Sequence, residues 1–187
     1  MKLIRSLSWR SLIYTGDEIF RLFQSSEGFE LSGSVMLAPE SEPFSVKYQV
    51  FCDTNWCTRS ASIEVKEGCN SRKLQIDVDH EQRWSLNGVE DERLRGYLDV
   101  DLSVTPATNT LPVRRLKLQI DDTQELSAAW VRFPQLEVAP LEQRYTRLEE
   151  RLYRYESRSG DFSALVEVDD LGLVVEYEGI WIRRGKG

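Results

Sequence analysis

The chain reads as a single, nearly all-β domain over residues 1–187, made of many short antiparallel strands that close or roll to protect their edges. Three observations predict this class. Apolar and polar residues alternate with a period of two almost everywhere. Turn residues recur between the alternating runs, and no linker, low-complexity tract or internal repeat divides the chain. A chain of 187 residues buries a sizeable core, and five Trp, seven Tyr and seven Phe can fill one or line a cavity.

"GFELSGSVML" puts Phe29, Leu31, Gly33, Val35 and Leu37 on one side of a strand. "PFSVKYQVFCDTNWCTRSASIEVK" is a hairpin. Phe44, Val46, Tyr48, Val50 and Cys52 form one inward row, and Cys57, Ala61, Ile63 and Val65 the returning one. Asp53-Thr54-Asn55 turns between them. "RKLQIDVD" pairs with "RWSLNG", which ends at Asn87-Gly88; His80 continues the apolar face of Leu74, Ile76 and Val78. "ELSAAWVRF" and "DFSALVEVDDLGLVVEY" continue the pattern, the latter as two strands around Asp169-Asp170. "QRYTRLEERLYRYES" fits either a helix, on Leu141, Leu148 and Leu152, or a long strand; its aromatic content favours the strand.

The segment "DVDLSVTPATNTLPVRRLKL", Asp99 to Leu118, departs from this pattern. Strand parity places Leu98, Val100, Leu102 and Val104 on one face, and Asp99, Asp101 and Ser103 on the other, solvated one. The same parity carries Arg114 onto the side of Leu116, Leu118 and Ile120, while Arg115 joins Lys117 and Gln119. Arg114→Ala is therefore expected to cost more than Arg115→Ala. A helical turn running to about Leu116, with Thr110 or Leu111 before it and Pro112 at its first position, is the other reading of these residues. Arg59, in register with Cys57 and Ala61, and Arg21, between Ile19 and Phe23, share the oddity of a guanidinium on an apolar face. Such a group needs a partner. That partner is either Asp99, Asp101 or a glutamate pinning neighbouring strands, or an anionic or polyhydroxylated head group in a cavity.

Composition removes several function classes. Net charge of −7 argues against nucleic acid as a partner. No apolar run approaches the roughly 18 residues of a membrane helix, so no integral membrane association is expected. "MKLIRSLSWRSLIYTGDE" lacks the apolar core and cleavage site of a signal peptide. Cys52, Cys57 and Cys69 fit reduced thiols of a cytoplasmic protein, and one histidine with a Cys-x4-Cys spacing makes a poor metal site. No metal or cofactor is expected. There is no Gly-x-Ser-x-Gly elbow and no phosphate-binding glycine loop. Asp99 and Asp101 remain open as a glycosidase couple.

The Asp99–Leu118 segment resembles the signature of the "putative glycolipid-binding" family, long catalogued as a domain of unknown function. The resemblance continues through Trp56, Thr58 and Arg59, "WSLNG" with Trp84, "EQRYTRL" around Gln143 and Tyr145, and "VDDLGLVVEYEGIWIRR". Ala107, where a bulkier residue is usual, and "DHEQRW" depart from it. The resemblance implies a mostly antiparallel spiral β-roll, or partly open barrel, of about fifteen strands with one short helix, similar to the carriers that localise bacterial lipoproteins. It also implies binding of a glycolipid or related amphiphile and brings no catalytic residues.

The reading that follows is a non-catalytic binding protein. An acyl chain would lie among Trp9, Phe29, Leu31, Val35, Tyr48, Trp84 and Trp130. Trp56, Arg59, Asn109 and Arg114 would meet the head group, with Asp99, Asp101, Thr105, Gln143 and Tyr145 as further site candidates. The alternatives are a hydrolase of a sugar or lipid conjugate using Asp99 and Asp101, and a ligand-free structural or interaction protein. Oligomeric state is not legible in the sequence.

Overall fold

The structure, a computed structural model of the chain, describes residues 1–157 and 162–185. Its first half is an antiparallel meander of β1 (Lys2–Ser11), β2 (Thr15–Gln24), β3 (Gly28–Ala38), β4 (Phe44–Asp53), β5 (Thr58–Glu67), β6 (Asn70–Val78), β7 (Trp84–Leu86) and β8 (Val89–Glu90). A connecting segment holds a 3-10 turn, Glu92–Leu94, then β9 (Asp99–Leu102), a second 3-10 turn, Ala107–Asn109, and the helix α1 (Thr110–Leu116). The second half comprises β10 (Thr123–Arg132), β11 (Glu137–Arg147), β12 (Leu152–Ser157), β13 (Phe162–Val168), β14 (Val174–Tyr177) and β15 (Trp181–Arg184).

Among the described residues these fifteen strands form one sheet, with the two halves joined where β1 pairs with β15. All neighbours are antiparallel except β9 and β10, and β8 and β9 are left as the two edges. The sheet stays open but curls until its halves meet. The Val100 backbone N–H, in β9, donates to the Thr58 hydroxyl of β5 (3.0 Å), and Thr58 N–H donates to the Leu98 carbonyl (2.8 Å). One backbone bond and one through the Thr58 hydroxyl thus stand where a ladder would be, an arrangement that covers the β9 edge without closing a barrel. Fifteen strands and one short helix are the architecture that the resemblance implied.

The inward rows read from the sequence are buried: Leu31, Gly33, Val35 and Leu37 on β3, and Phe44 to Cys52 on β4. A register shift opposite Phe51 and Cys52 breaks the parity of β5, so Thr58 points inward and Arg59 lies half-buried at the rim. Asn87 and Gly88 both take left-handed φ, 50° and 82°, the hairpin geometry that Asn-Gly supplies between β7 and β8. "QRYTRLEERLYRYES" is neither one helix nor one long strand. It is the β11–β12 hairpin, because Leu148 to Arg151 turn the chain and Leu148 N–H donates to the Leu152 carbonyl.

Two further expectations are corrected. Arg21 is exposed with Ile19, and the inward row of β2 is Glu18, Phe20 and Leu22. His80 is exposed beyond the end of β6, where the ladder stops at Val78 and no inner face remains for it to continue.

The interior is filled by the chain itself. Every residue from Val104 to Val113 is buried inside the curled sheet. A strand there would leave its backbone donors unpaired, since no neighbouring strand is within reach on that path. The segment instead coils, satisfying its own backbone, with Pro112 in the first turn, where its missing N–H costs nothing. Lys117 ends α1 in the left-handed conformation, φ 50°.

Gly33 shows how closely this interior is packed. A Cβ there would lie 2.4 Å from Cε1 and Cζ of Tyr48, on the paired strand. The Tyr48 ring cannot swing away, because its hydroxyl donates to Glu18. Gly33→Ala is expected to lower stability by about 1–3 kcal/mol through overpacking. The exposed neighbour Ser34→Ala should stay within about 0.5 kcal/mol. Urea melts of the two variants check this, and equal midpoints would refute it.

Candidate functional site

A hollow lies beside the buried segment, between it and the second half of the sheet. It measures about 280 Å³. One wall is aromatic. Tyr155 stands edge-on to Tyr177 (ring centroids 6.0 Å) and near Phe162 (6.0 Å), and Trp130 and Trp181 complete it. These rings converge because β12, β13, β14 and β15 are consecutive neighbours, so their inward positions stack across the sheet.

The opposite wall is polar and comes from the connecting segment: Asp101, Ser103, Thr105 and Asn109. The Gln143 amide donates both to Asp101 Oδ2 and to the Tyr155 hydroxyl (3.2 Å). Asp101 Oδ1 makes no hydrogen bond to another described residue, so it is a free acceptor at the cavity wall. Burial pushes the Asp101 carboxyl up to about 6, with Gln143 opposing and the charge of Asp99 adding to the rise. Behind this wall the Asn109 amide donates to the Tyr145 hydroxyl (3.0 Å), which fixes the end of the 3-10 turn.

The ten residues singled out from the sequence divide accordingly. Asp101, Thr105 and Asn109 line the hollow, and Gln143 and Tyr145 stand directly behind it. The remaining five lie elsewhere. Trp84 is core, donating through Nε1 to the Tyr97 carbonyl (3.0 Å). Trp56, at φ 66°, stacks on Phe29 with centroids 4.0 Å apart. Arg59 pairs with Asp53 (2.7 Å) and donates to the Asp79 carbonyl (3.0 Å), so its partner is neither Asp99 nor a head group. Of the acyl-chain candidates, Trp130 reaches the cavity, whereas Trp9, Leu31, Val35, Tyr48 and Trp84 are packed core and Phe29 lies under Trp56.

Asp99 and the arginine pair are placed opposite to the strand-parity expectation. Asp99 is 1% exposed, and Arg115 grips it with Nε and Nη2. Arg114 makes no ion pair with a described residue and lies over the Trp56 ring, 5.4 Å from its centroid. The cause is the helix. Residues 110–116 turn with a period of 3.6, so strand parity does not apply and Arg115 swings back toward β9. Nor is Asp99 solvated. Both faces of β9 are covered, one by the core and one by α1 with its arginine. Asp99 is thereby committed to a cation, and the Asp99/Asp101 couple lacks its second free carboxylate in the hollow.

The sequence reading passed over Glu18. It is fully buried on β2 and accepts from the hydroxyls of Tyr48 and of Thr105 (2.7 Å), the latter on the cavity wall. Thr105 Oγ1 in turn accepts from Ala107 N–H (3.0 Å) and so starts the 3-10 turn. The signal was present, since Glu18 alternates with Phe20 and Leu22. Burial raises its carboxyl from 4.5 to about 8, with Thr105 and Tyr48 opposing, so Glu18 carries a proton at neutral pH.

Comparison with known proteins matches residues 6–183 to the family described as "putative glycolipid-binding". The chain belongs to that family. No curated protein matches it. A crystal structure of a DUF1089 family protein from Pseudomonas aeruginosa is similar at 30% identity and a TM-score of 0.80, covering 89% of this chain and 91% of that one. Among the described residues of this family member, no helix is long and apolar enough to cross a membrane.

Two outcomes follow. Arg115→Ala leaves a buried carboxylate without its cation and is expected to cost about 3–5 kcal/mol, whereas Arg114→Ala should cost clearly less. Chemical denaturation of both variants decides, and equal losses would contradict the placement. The second concerns pH. A carboxyl whose folded pKa is raised keeps its full stability below the unfolded value and loses it as pH rises to the folded one. Stability should therefore fall from about pH 4 to 6 through Asp101 and on to about pH 8 through Glu18. Glu18→Gln should flatten the pH 6 to 8 part of a melting-temperature profile; an unchanged slope would show that Glu18 is not the group responsible.

Proposed function

We propose that the protein binds a glycolipid or a related amphiphile without catalysis, in the hollow between the connecting segment and β10–β15. The observation that carries this reading is the two-sided lining of that hollow: aromatic rings on one wall, and the free Asp101 oxygen with Ser103 and Asn109 on the other. Sugars need this pairing. Their C–H faces pack on aromatic rings while their hydroxyls seek acceptors and amides. Membership of a family described as glycolipid-binding points the same way.

The size limits what enters. About 280 Å³ lies just under the roughly 300–1,000 Å³ of small-molecule pockets. One sugar ring, or the first part of an alkyl chain, fits it; a whole two-chain lipid does not. The rest of such a ligand would remain outside, beside Phe162 and Ile180 at the border of the hollow. Asp101 acts as an acceptor in this reading, and its raised pKa is the cost of keeping a carboxylate among aromatic rings.

Titration calorimetry and tryptophan emission with an alkyl glycoside below its micelle concentration test the proposal. Saturable binding is expected, weakened at least about tenfold by Asp101→Asn, which exchanges an anionic acceptor for an amide. Weakening is also expected from Tyr177→Ala. Binding that is non-saturable, or indifferent to both substitutions, would overturn it. Turnover of glycoside or ester substrates abolished by Asp101→Asn would replace it with the hydrolase reading.

A further inference from the structure

A second hollow, of about 440 Å³, lies at the other end of α1 and shares no lining residue with the first. The two are separated by the buried segment: Asn109 faces one and Arg114 the other, while on β12 Tyr155 lines the first and Tyr153 the second. Four cations line it: Arg151, which pairs with Asp170, and three that make no ion pair with a described residue, Arg114 on α1, Lys117 at its end and Arg147 at the end of β11.

Their partners are the informative part. The Arg114 stem is pinned between the Trp56 ring and Gly172, where a Cβ would come 2.8 Å from Arg114 Cδ. Gly172 has φ 76°, a second reason for glycine at that position. The guanidinium so held has a buried Nε–H with no acceptor. An unmet buried donor is costly, and natural structures seldom keep one without use. Arg147 lies over the Tyr153 ring, 5.8 Å from its centroid, and donates only to carbonyls, those of Leu118 (2.7 Å), Glu149 (3.2 Å) and Glu150 (2.5 Å). Those three bonds orient it without neutralising its charge, and two of its five N–H groups remain. Lys117 makes no ion pair with a described residue and stands exposed in its left-handed cap.

The carboxylates around this hollow are largely spent elsewhere. Asp169 accepts from Leu171 N–H and Leu173 N–H (2.9 and 3.0 Å) and from Arg183 (2.8 Å). Asp170 pairs with Arg151. Glu150, exposed at the rim, is the remaining one. The α1 C-terminus adds only a partial negative charge, outweighed by three full cations. The contrast with Arg115, which does take a carboxylate, makes the isolation of Arg114 specific to this side of the helix.

We propose that this hollow is a binding site for a phosphate group, held by Arg114, Lys117 and Arg147. Cations from the end of α1 and from the end of β11 can flank a tetrahedral dianion, and forked guanidinium donors match its oxygens. The group is either free phosphate or the phosphomonoester head of a lipid, and the site stands independently of the amphiphile cavity.

The test uses the full chain, titrated with inorganic phosphate and with monomeric dihexanoyl phosphatidic acid at constant ionic strength in chloride. Binding is read by 31P line broadening and by the Arg114 Nε–H resonance. Saturable binding of one or both probes is expected, with the Arg114 resonance shifting on addition. In Arg114→Gln/Lys117→Gln the dissociation constant should rise at least about tenfold, since each lost charged hydrogen bond accounts for about one factor of ten. A circular dichroism melt confirms that the variant folds, and should it not, Lys117→Gln alone carries the comparison. Binding of both probes identifies the phosphate group itself as the ligand; binding of phosphatidic acid only identifies a lipid head. Phosphate and phosphatidic acid acting no differently from chloride would overturn the proposal, as would binding that leaves the Arg114 resonance unmoved.

Discussion

The burial of residues 104–113 inside the curled sheet is the constraint on which the rest of the molecule depends. A sheet of fifteen strands that does not close needs something to hold its halves together, and this segment is what both halves pack on. Its polar groups cannot look to water, and all its buried polar side chains but Thr110, whose hydroxyl makes no hydrogen bond to a described residue, have an assigned partner. Thr108 Oγ1 accepts from Leu102 N–H (3.2 Å), Thr105 answers to Glu18 and Ala107, and Asn109 answers to Tyr145. Arg115, one turn later, is anchored on Asp99. These bonds rank above their number, because each would leave a buried polar atom if broken, and those of Thr105 to Glu18 and Asn109 to Tyr145 also join elements far apart in the chain.

The same segment divides the interior. By filling its middle it leaves a hollow at either end, and the chemistry of each follows from which residues the segment turns toward it. Toward β10–β15 it offers an aspartate, hydroxyls and an amide opposite aromatic rings. Toward the β11–β12 turn it offers two cations. A neutral polar ligand with an apolar face suits the first and an anion suits the second. An amphiphile carrier of this build would grip one end of its ligand and leave the rest outside, unlike a barrel that encloses its cargo.

Glu18 ties the halves electrostatically. A protonated carboxyl buried on β2 keeps Tyr48 and Thr105 in place without the desolvation cost of a charge. The Asp99–Arg115 pair solves the equivalent problem on β9 by the other available means, a cation at bidentate range.

The period-two alternation, the turn residues and the aromatic supply determined the fold class, the inward rows of β3 and β4, and the Asn87-Gly88 turn, because these depend on neighbours close in sequence. The segment from Asp99 to Leu118 was legible as unusual, and five of its family's residues do gather at the first hollow or just behind it. Tertiary structure decided the rest. Parity says which residues share a face but not what covers that face, so Asp99 read as solvated until α1 was laid over it. Whether residues 110–116 coil or extend depends on the absence of a pairing strand inside the roll, and that choice alone exchanged the roles of Arg114 and Arg115. A hollow is a difference between large packed volumes contributed by distant strands, and no local pattern encodes it.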